Sequence, residues 1–396
     1  MILIIALLAS AIASLAAIIR IFSSPKASFP RQKILLLAQE RYQTNSEFPL
    51  QNKIAVVTGS TSGLGKQIAL ELFRLGATVI VASRSYNKIV DTVDSISREC
   101  PKSKGQLIVC NEQVLDSSDM SSVVAFSKWF CGEYNQLHFL VNNAGIIYLP
   151  DNMKFDPADP PVSKQGYDLA FATNYLGHFL LSDLLLPVLK RTPGSRILNI
   201  ASSAHLTVDG SALHPCPIPS ASQPAKSVGD FLNAYGNNKL AQIMHVKELQ
   251  LELESEGRGD IKVLCACPGF TATGMLPHSP IGNMLRKVFF TPSAAAYTPM
   301  HCLLAAPETF SNCKLMTNFY NIWTDNYLGS VLFKIAVGLG LRAVFVGCIA
   351  IPWVIAFQNT SYGFHRSTPD KVVSDDTLTR KLFQWSRDEV KKYTIQ

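Results

Sequence analysis

From Lys53 onward, short runs of β-branched and apolar residues alternate with amphipathic stretches. Ile54–Val57 predicts a strand, and Lys66–Leu75 predicts the helix that follows it. Thr78–Ala82, Gln106–Cys110 and Phe139–Val141 read as further strands, and Arg196–Ile200 and Lys262–Ala266 continue the series. Alternation of this kind argues for an α/β fold, a doubly wound parallel sheet with helices on both faces. Asp209–Ser227 breaks the rhythm with four prolines among small polar residues, and reads as a long surface loop. Near the C-terminus, Thr377–Tyr393 sets Leu382, Phe383 and Trp385 among charged neighbours, an amphipathic helix.

Two apolar runs stand outside this pattern. Met1–Ile19 carries no charge and is close to the about 20 residues that cross a hydrocarbon core. No basic n-region precedes it, and it exceeds the about 7–15 residues of a cleaved signal's apolar core. Arg20, Lys26, Arg31 and Lys33 follow closely, and such charges stay in the cytosol. The run reads as an N-terminal transmembrane anchor. Ile335–Phe357 is apolar but interrupted by Arg342 and Pro352, which suits a re-entrant or surface-lying segment better than a clean span. A buried helix pair is the competing reading. The expected organisation is an anchor over 1–20, a linker over 21–51, a catalytic domain over 52–327, a membrane-associated insertion over 328–360, and a helical tail over 361–396 packing on the catalytic domain.

Composition refines this picture in three ways. Only 16% of the 396 residues are charged, and the apolar excess behind the mean hydropathy of +0.16 sits in those two runs. The net charge of +7 forms no stripe, and no nucleic-acid-binding motif accompanies it. A basic surface facing anionic membrane lipid and a solvated basic face remain open. The nine cysteines form no CxxC pair, which reads as free thiols in a reducing compartment with no metal site.

The candidate chemistry lies at strand ends. Thr58-Gly-Ser-Thr-Ser-Gly-Leu-Gly65 joins the first strand to the first helix. Glycines there allow a tight turn and let backbone approach a pyrophosphate seated on the helix N-terminus. The second strand ends in Ala82-Ser-Arg-Ser85, with no carboxylate for ribose hydroxyls. Ser83 and Arg84 therefore suit a 2′-phosphate, favouring NADP(H) over NAD. Tyr235 and Lys239 are four apart, on one helix face. A cation beside a phenol favours the phenolate, lowering a pKa that is ordinarily near ~10.

Taken in order, TGxxxGxG, Asn142-Asn-Ala-Gly145, a serine, and YxxxK resemble the short-chain dehydrogenase/reductase superfamily over roughly residues 50 to 320. Asn174-Tyr-Leu-Gly-His-Phe179, Ala201-Ser-Ser-Ala-His205 and Leu382-Phe-Gln-Trp-Ser386 resemble its retinol dehydrogenase-like group. The resemblance implies a Rossmann-type fold and a membrane-associated enzyme acting on lipid alcohols or carbonyls. It implies Tyr235 as general acid or base, Lys239 holding the nicotinamide ribose, Ser203 bonding the substrate oxygen, and Asn174 holding a water of the proton relay. It further assigns Gly59, Ser62, Gly63, Leu64 and Gly65, with Asn143, Ala144 and Gly145, to the cofactor. Asp116 would contact the adenine, and Pro268, Gly269 and Thr271 would flank the nicotinamide. His178 and His205 read as structural. Met275, Met284, Leu285 and Phe289 would form an apolar substrate lid, or simply pack in the core.

The expected activity is NADP(H)-dependent interconversion of a lipophilic alcohol with its aldehyde or ketone, whether retinoid, steroid, polyprenoid or fatty. The expected setting is endoplasmic reticulum or lipid droplet, with the catalytic domain facing the cytosol. An NAD-dependent lipid alcohol dehydrogenase is one alternative. A non-catalytic nucleotide-binding membrane scaffold is another.

Overall fold

Each predicted strand forms, with boundaries unchanged or shifted by one residue. The computed structural model describes residues 30–110, 113–147, 162–202, 204–205, 208, 210–213, 228–269, 271–275, 283, 286, 289–310, 315–317, 365–367 and 376–394. The elements are α1 (Arg31–Arg41), β1 (Ile54–Thr58), α2 (Gly63–Arg74), β2 (Thr78–Ala82), α3 (Tyr86–Glu99) and β3 (Gln106–Val109), followed by α4 (Met120–Glu133) and β4 (Phe139–Asn142). Next come a helical turn Leu169–Phe171, a π-helical stretch Ala172–Leu176, α5 (Gly177–Lys190), β5 (Arg196–Ile200), α6 (Val228–Ser255) and β6 (Lys262–Cys267). The chain closes with α7 (Pro292–Ala295), α8 (Tyr297–Leu304), β7 (Leu315–Thr317), β8 (His365–Ser367) and α9 (Asp376–Thr394).

The sheet order is β3-β2-β1-β4-β5-β6-β7-β8. All pairings are parallel except that of β7 with β8. The order reverses direction between β1 and β4, so a crevice opens beyond their carboxyl ends, where open α/β sheets bind ligands.

Strand residues alternate between two buried faces. Val56 of β1 joins one core cluster with residues of α4, α5, α6 and α9, while Ala55 and Val57 join another with α1, α2 and α8. β6 does the same, with Val263 and Cys265 on the first side and Leu264 and Ala266 on the second. Burial on both sides explains why these strands are continuously apolar.

The segment expected as a linker contains α1, which buries Ile34 and Ala38 one turn apart against the second cluster. The tail helix α9 buries Leu382, Phe383 and Val390 in the first cluster. Its Phe383 ring stands 5.4 Å from Phe179 and 6.0 Å from His245. Its Ser386 hydroxyl lies 2.7 Å from that of Tyr175. Arg387 pairs with Glu252 at 2.8 Å.

Among the described residues, one helical stretch, Leu169–Lys190, is long and apolar enough to cross a membrane, but 72% of its apolar window is buried inside the protein. It is a core helix. The predicted anchor over 1–20, the insertion over 328–360, and Ser203, Met284 and Leu285 lie outside the described residues.

Candidate active site

The carboxyl ends of β1, β4 and β5 converge on one site. Gly59 turns the chain at φ +62°, and a Cβ there would meet the Ala144 Cα at 2.8 Å. Only glycine serves, because the position is both left-handed and in backbone contact. Asn143 closes the same contact from the other side, donating from Nδ2 to the Thr58 carbonyl at 2.8 Å. Thr58 Oγ1 accepts the N–H groups of Asn143 and Ala144, each at 2.9 Å. Its own hydrogen is then left for His178 Nε2, also 2.9 Å away. This fixes the neutral tautomer that carries hydrogen on Nδ1, which points at the Asn174 carbonyl at 3.2 Å. Burial pushes the His178 pKa down to about 3, so the ring stays neutral. His178 is a wire between cofactor loop and helix, with no charge to offer.

Helix α2 starts at Gly63 without any side chain capping its first amides, Ser62 at the N-cap included. Uncapped donors after a glycine turn fit a pyrophosphate. Leu64 and Gly65 are buried behind that first turn. Ser83 and Arg84 follow β2, Ser83 buried and Arg84 exposed. Ser83 Oγ lies 3.2 Å from Thr61 Oγ1, and its carbonyl accepts from Leu115 N at 3.0 Å, which brings Asp116 beside the end of β2. Asp116 Oδ1 itself accepts from the Ser118 amide and hydroxyl, at 2.9 and 2.7 Å. Beyond β6, Gly269 turns at φ +79° and its carbonyl accepts the Thr271 hydroxyl at 3.2 Å. Thr273 from this loop stands 3.2 Å from where a Cβ on Gly63 would be, so the Pro268–Gly269 turn faces the glycine loop. Met275 is partly exposed and Phe289 is buried. These donors and gaps fit a dinucleotide.

Tyr235 and Lys239 share a face of α6, with Lys239 Nζ 5.5 Å from the Tyr235 ring centroid. The ammonium donates to the Ile200 carbonyl at 2.7 Å and to Gln242 Oε1 at 2.9 Å. A Cβ on Gly145 would stand 3.8 Å from Nζ and 3.4 Å from Asn174 Oδ1, ordinary contact distances that place this glycine beside the ammonium. Burial lowers the Lys239 pKa to about 8.

Two expectations change here. Tyr235 was expected to have a lowered pKa, yet burial pushes its phenol upward, the Cys267 thiol adds to the rise, and only a hydrogen bond with Ser202 works against it. Lys239 is aimed at a carbonyl and an amide, not at the phenol oxygen. The hydroxyl that meets Tyr235 is that of Ser202, two residues past β5, whereas the expected Ser203 lies outside the described residues.

Asn174 sits in the π-helical stretch, fully buried. Its side chain is held on both sides by Ile146, with Oδ1 accepting and Nδ2 donating at 2.8 Å each. Its carbonyl accepts from Gln242 Nε2 at 2.6 Å. Sequence reasoning passed over Gln242, although 235, 239 and 242 share one helix face by their i, i+4, i+7 spacing.

Comparison with known proteins fits this geometry. Residues 53–211 match the model of the short chain dehydrogenase family. The chain is 32% identical over 283 residues to retinol dehydrogenase 12 of Mus musculus, covering 69% of this chain and 81% of the relative. It is 30% identical over 274 residues to polyprenol dehydrogenase of Homo sapiens, covering 66% of this chain and 74% of that protein. Among solved structures it resembles a short chain dehydrogenase from Burkholderia cenocepacia J2315 in complex with NADP, with TM-score 0.50, 22% identity, and coverage of 68% of this chain and 96% of the other.

Proposed function

Because this chain belongs to the short-chain dehydrogenase/reductase family, within its retinol dehydrogenase-like group, we propose that it interconverts a lipophilic alcohol and its aldehyde or ketone using NADP(H). The observation that carries the reading is the meeting of the Tyr235 phenol, the Ser202 hydroxyl and the buried Lys239 ammonium beside the glycine loop. A reduced nicotinamide held in that crevice by the glycine loop and Lys239 would supply the hydride. Tyr235, kept protonated by its burial, gives its proton to the carbonyl oxygen, so a neutral carbonyl becomes a neutral alcohol. Ser202 donates to that oxygen as negative charge develops on it. Lys239 stabilises the phenolate left behind, and the reverse steps oxidise the alcohol. This assignment takes Ser202 in place of Ser203.

Arg84 and Ser83, with no carboxylate at the end of β2, support NADP(H) over NAD. Names of the relatives support a retinoid or polyprenoid class of substrate. The charge-free run Met1–Ile19 supports an anchor that keeps the catalytic domain at a cytosolic membrane surface.

The test is NADPH oxidation by the full-length protein in detergent, with retinal and polyprenal as substrates. Tyr235→Phe should lower kcat by about 10²–10⁴-fold. Ser202→Ala should follow it and Ser203→Ala should not. Unchanged turnover in Tyr235→Phe would sink the reading. Arg84→Asp should weaken NADPH by about tenfold or more and favour NADH, since a charge-assisted contact is replaced by repulsion.

A further inference from the structure

Gln242 is 1% exposed and lies between the Lys239 ammonium and the Asn174 carbonyl. Its Oε1 accepts from Lys239 Nζ at 2.9 Å and its Nε2 donates to the Asn174 carbonyl at 2.6 Å. An ammonium only donates and a carbonyl only accepts, so an amide satisfies both at once in this orientation and not in the flipped one. The same Asn174 carbonyl faces His178, whose other nitrogen meets Thr58 and, through it, the amides of Asn143 and Ala144. A continuous hydrogen-bonded path thus runs from the cofactor loop to the ammonium.

We propose that Gln242 is a positioning residue that clamps the Lys239 ammonium to the Asn174 carbonyl. This rests on the reading of Tyr235 and Lys239 given above. Two of the three Lys239 donors are then fixed on Ile200 and Gln242, which leaves the third for a ligand beside Gly145.

The groups facing Lys239 are Tyr235 on its own helix, His178 on α5, and Cys265 and Cys267 on β6. None is a carboxylate. Gln242 therefore tunes the ammonium without neutralising it. Removing its oxygen should make the charged form less stable, and replacing the amide by a carboxylate should do the reverse.

The experiment follows NADPH binding to the full chain by fluorescence, from pH 7 to pH 10.5, in the wild type, Gln242→Leu and Gln242→Glu. Affinity should fall as Lys239 loses its proton, with a midpoint that Lys239→Met abolishes. Gln242→Leu should move the midpoint down by about one unit. Gln242→Glu should move it up by about one unit or more. Opposite shifts support the clamp, because general damage moves both variants the same way. Coincident midpoints overturn it, and if Gln242→Leu fails to fold, Gln242→Glu alone decides. NADPH binding with loss of turnover in Tyr235→Phe, yet no midpoint shift, removes the clamp and keeps the proposed function. A wild type that binds no NADPH removes both.

Discussion

Strand β5 ends on a buried cation at each side, and the two have opposite fates. At its amino end Arg196 is fully buried, and its guanidinium donates to the carbonyls of Cys302 and Ala305 at the end of α8. It also stacks 5.1 Å from the Phe310 ring. Beyond the carboxyl end, Lys239 is 3% exposed and donates to the carbonyl of Ile200, the last residue of the strand. Both charges rest on carbonyl oxygens, but the partners differ in kind. Arg196 caps the negative end of a helix with a rigid fork, while Arg41 donates to the Leu303 and Gly194 carbonyls beside it. Lys239 is a compact point charge with a donor to spare, and burial brings its pKa to about 8. Burial of a cation is thus no mark of function by itself. What separates the two is their setting, since one faces a crevice and the other a helix end.

The sharpest test swaps the consequences. Lys239→Met should lower kcat/KM by about 10²–10³-fold while leaving the melting temperature unchanged or raised. Arg196→Ala should do the reverse, costing about 3 kcal/mol of stability or more by stranding two buried carbonyls, with kcat of the folded fraction intact. Paired assays and calorimetry check this, and a destabilised but fully active Lys239→Met would erase the distinction.

A second test uses pH. The Lys239 pKa lies near 8 in the folded chain against 10.5 for the free side chain. Between these values the unfolded chain binds more protons, so stability contributed by this site rises with pH. Wild type should therefore gain on Lys239→Met by up to about 3 kcal/mol from pH 8 to pH 10.5. Parallel denaturant curves across that range would refute it. The smallest effect concerns the tail. Ser386→Ala removes the bond to Tyr175, next to Asn174, and should cost about 1 kcal/mol with little change in kcat. A large loss of kcat would instead make α9 part of the catalytic support.

Much of this was legible in the chain. The apolar runs specified β1, β2, β4, β5 and β6, which are buried on both faces, and the shorter run Leu107–Val109 specified the partly buried edge strand β3. The glycine loop was legible because Gly59 must hold a left-handed turn against Ala144. Other features carried no local signal. β7 and β8 are three residues each, too short for a period, and form by pairing on β6 and on each other. Helix α1 was read as linker because only Ile34 and Ala38 of its turns are buried. The rise of the Tyr235 pKa was missed because sequence spacing shows a neighbouring lysine but not burial, and burial wins.

The sequence by itself determined strands β1 to β6, the glycine loop and the Tyr235–Lys239 face, since periodicity and helical spacing are properties of the local chain. Only the tertiary structure decided that Ser202 meets the phenol, that Gln242 joins Lys239 to Asn174, and that Arg196 is an anchor. Those depend on which side chains several separate elements bring within about 3 Å of one another, the range over which a hydrogen bond exists at all.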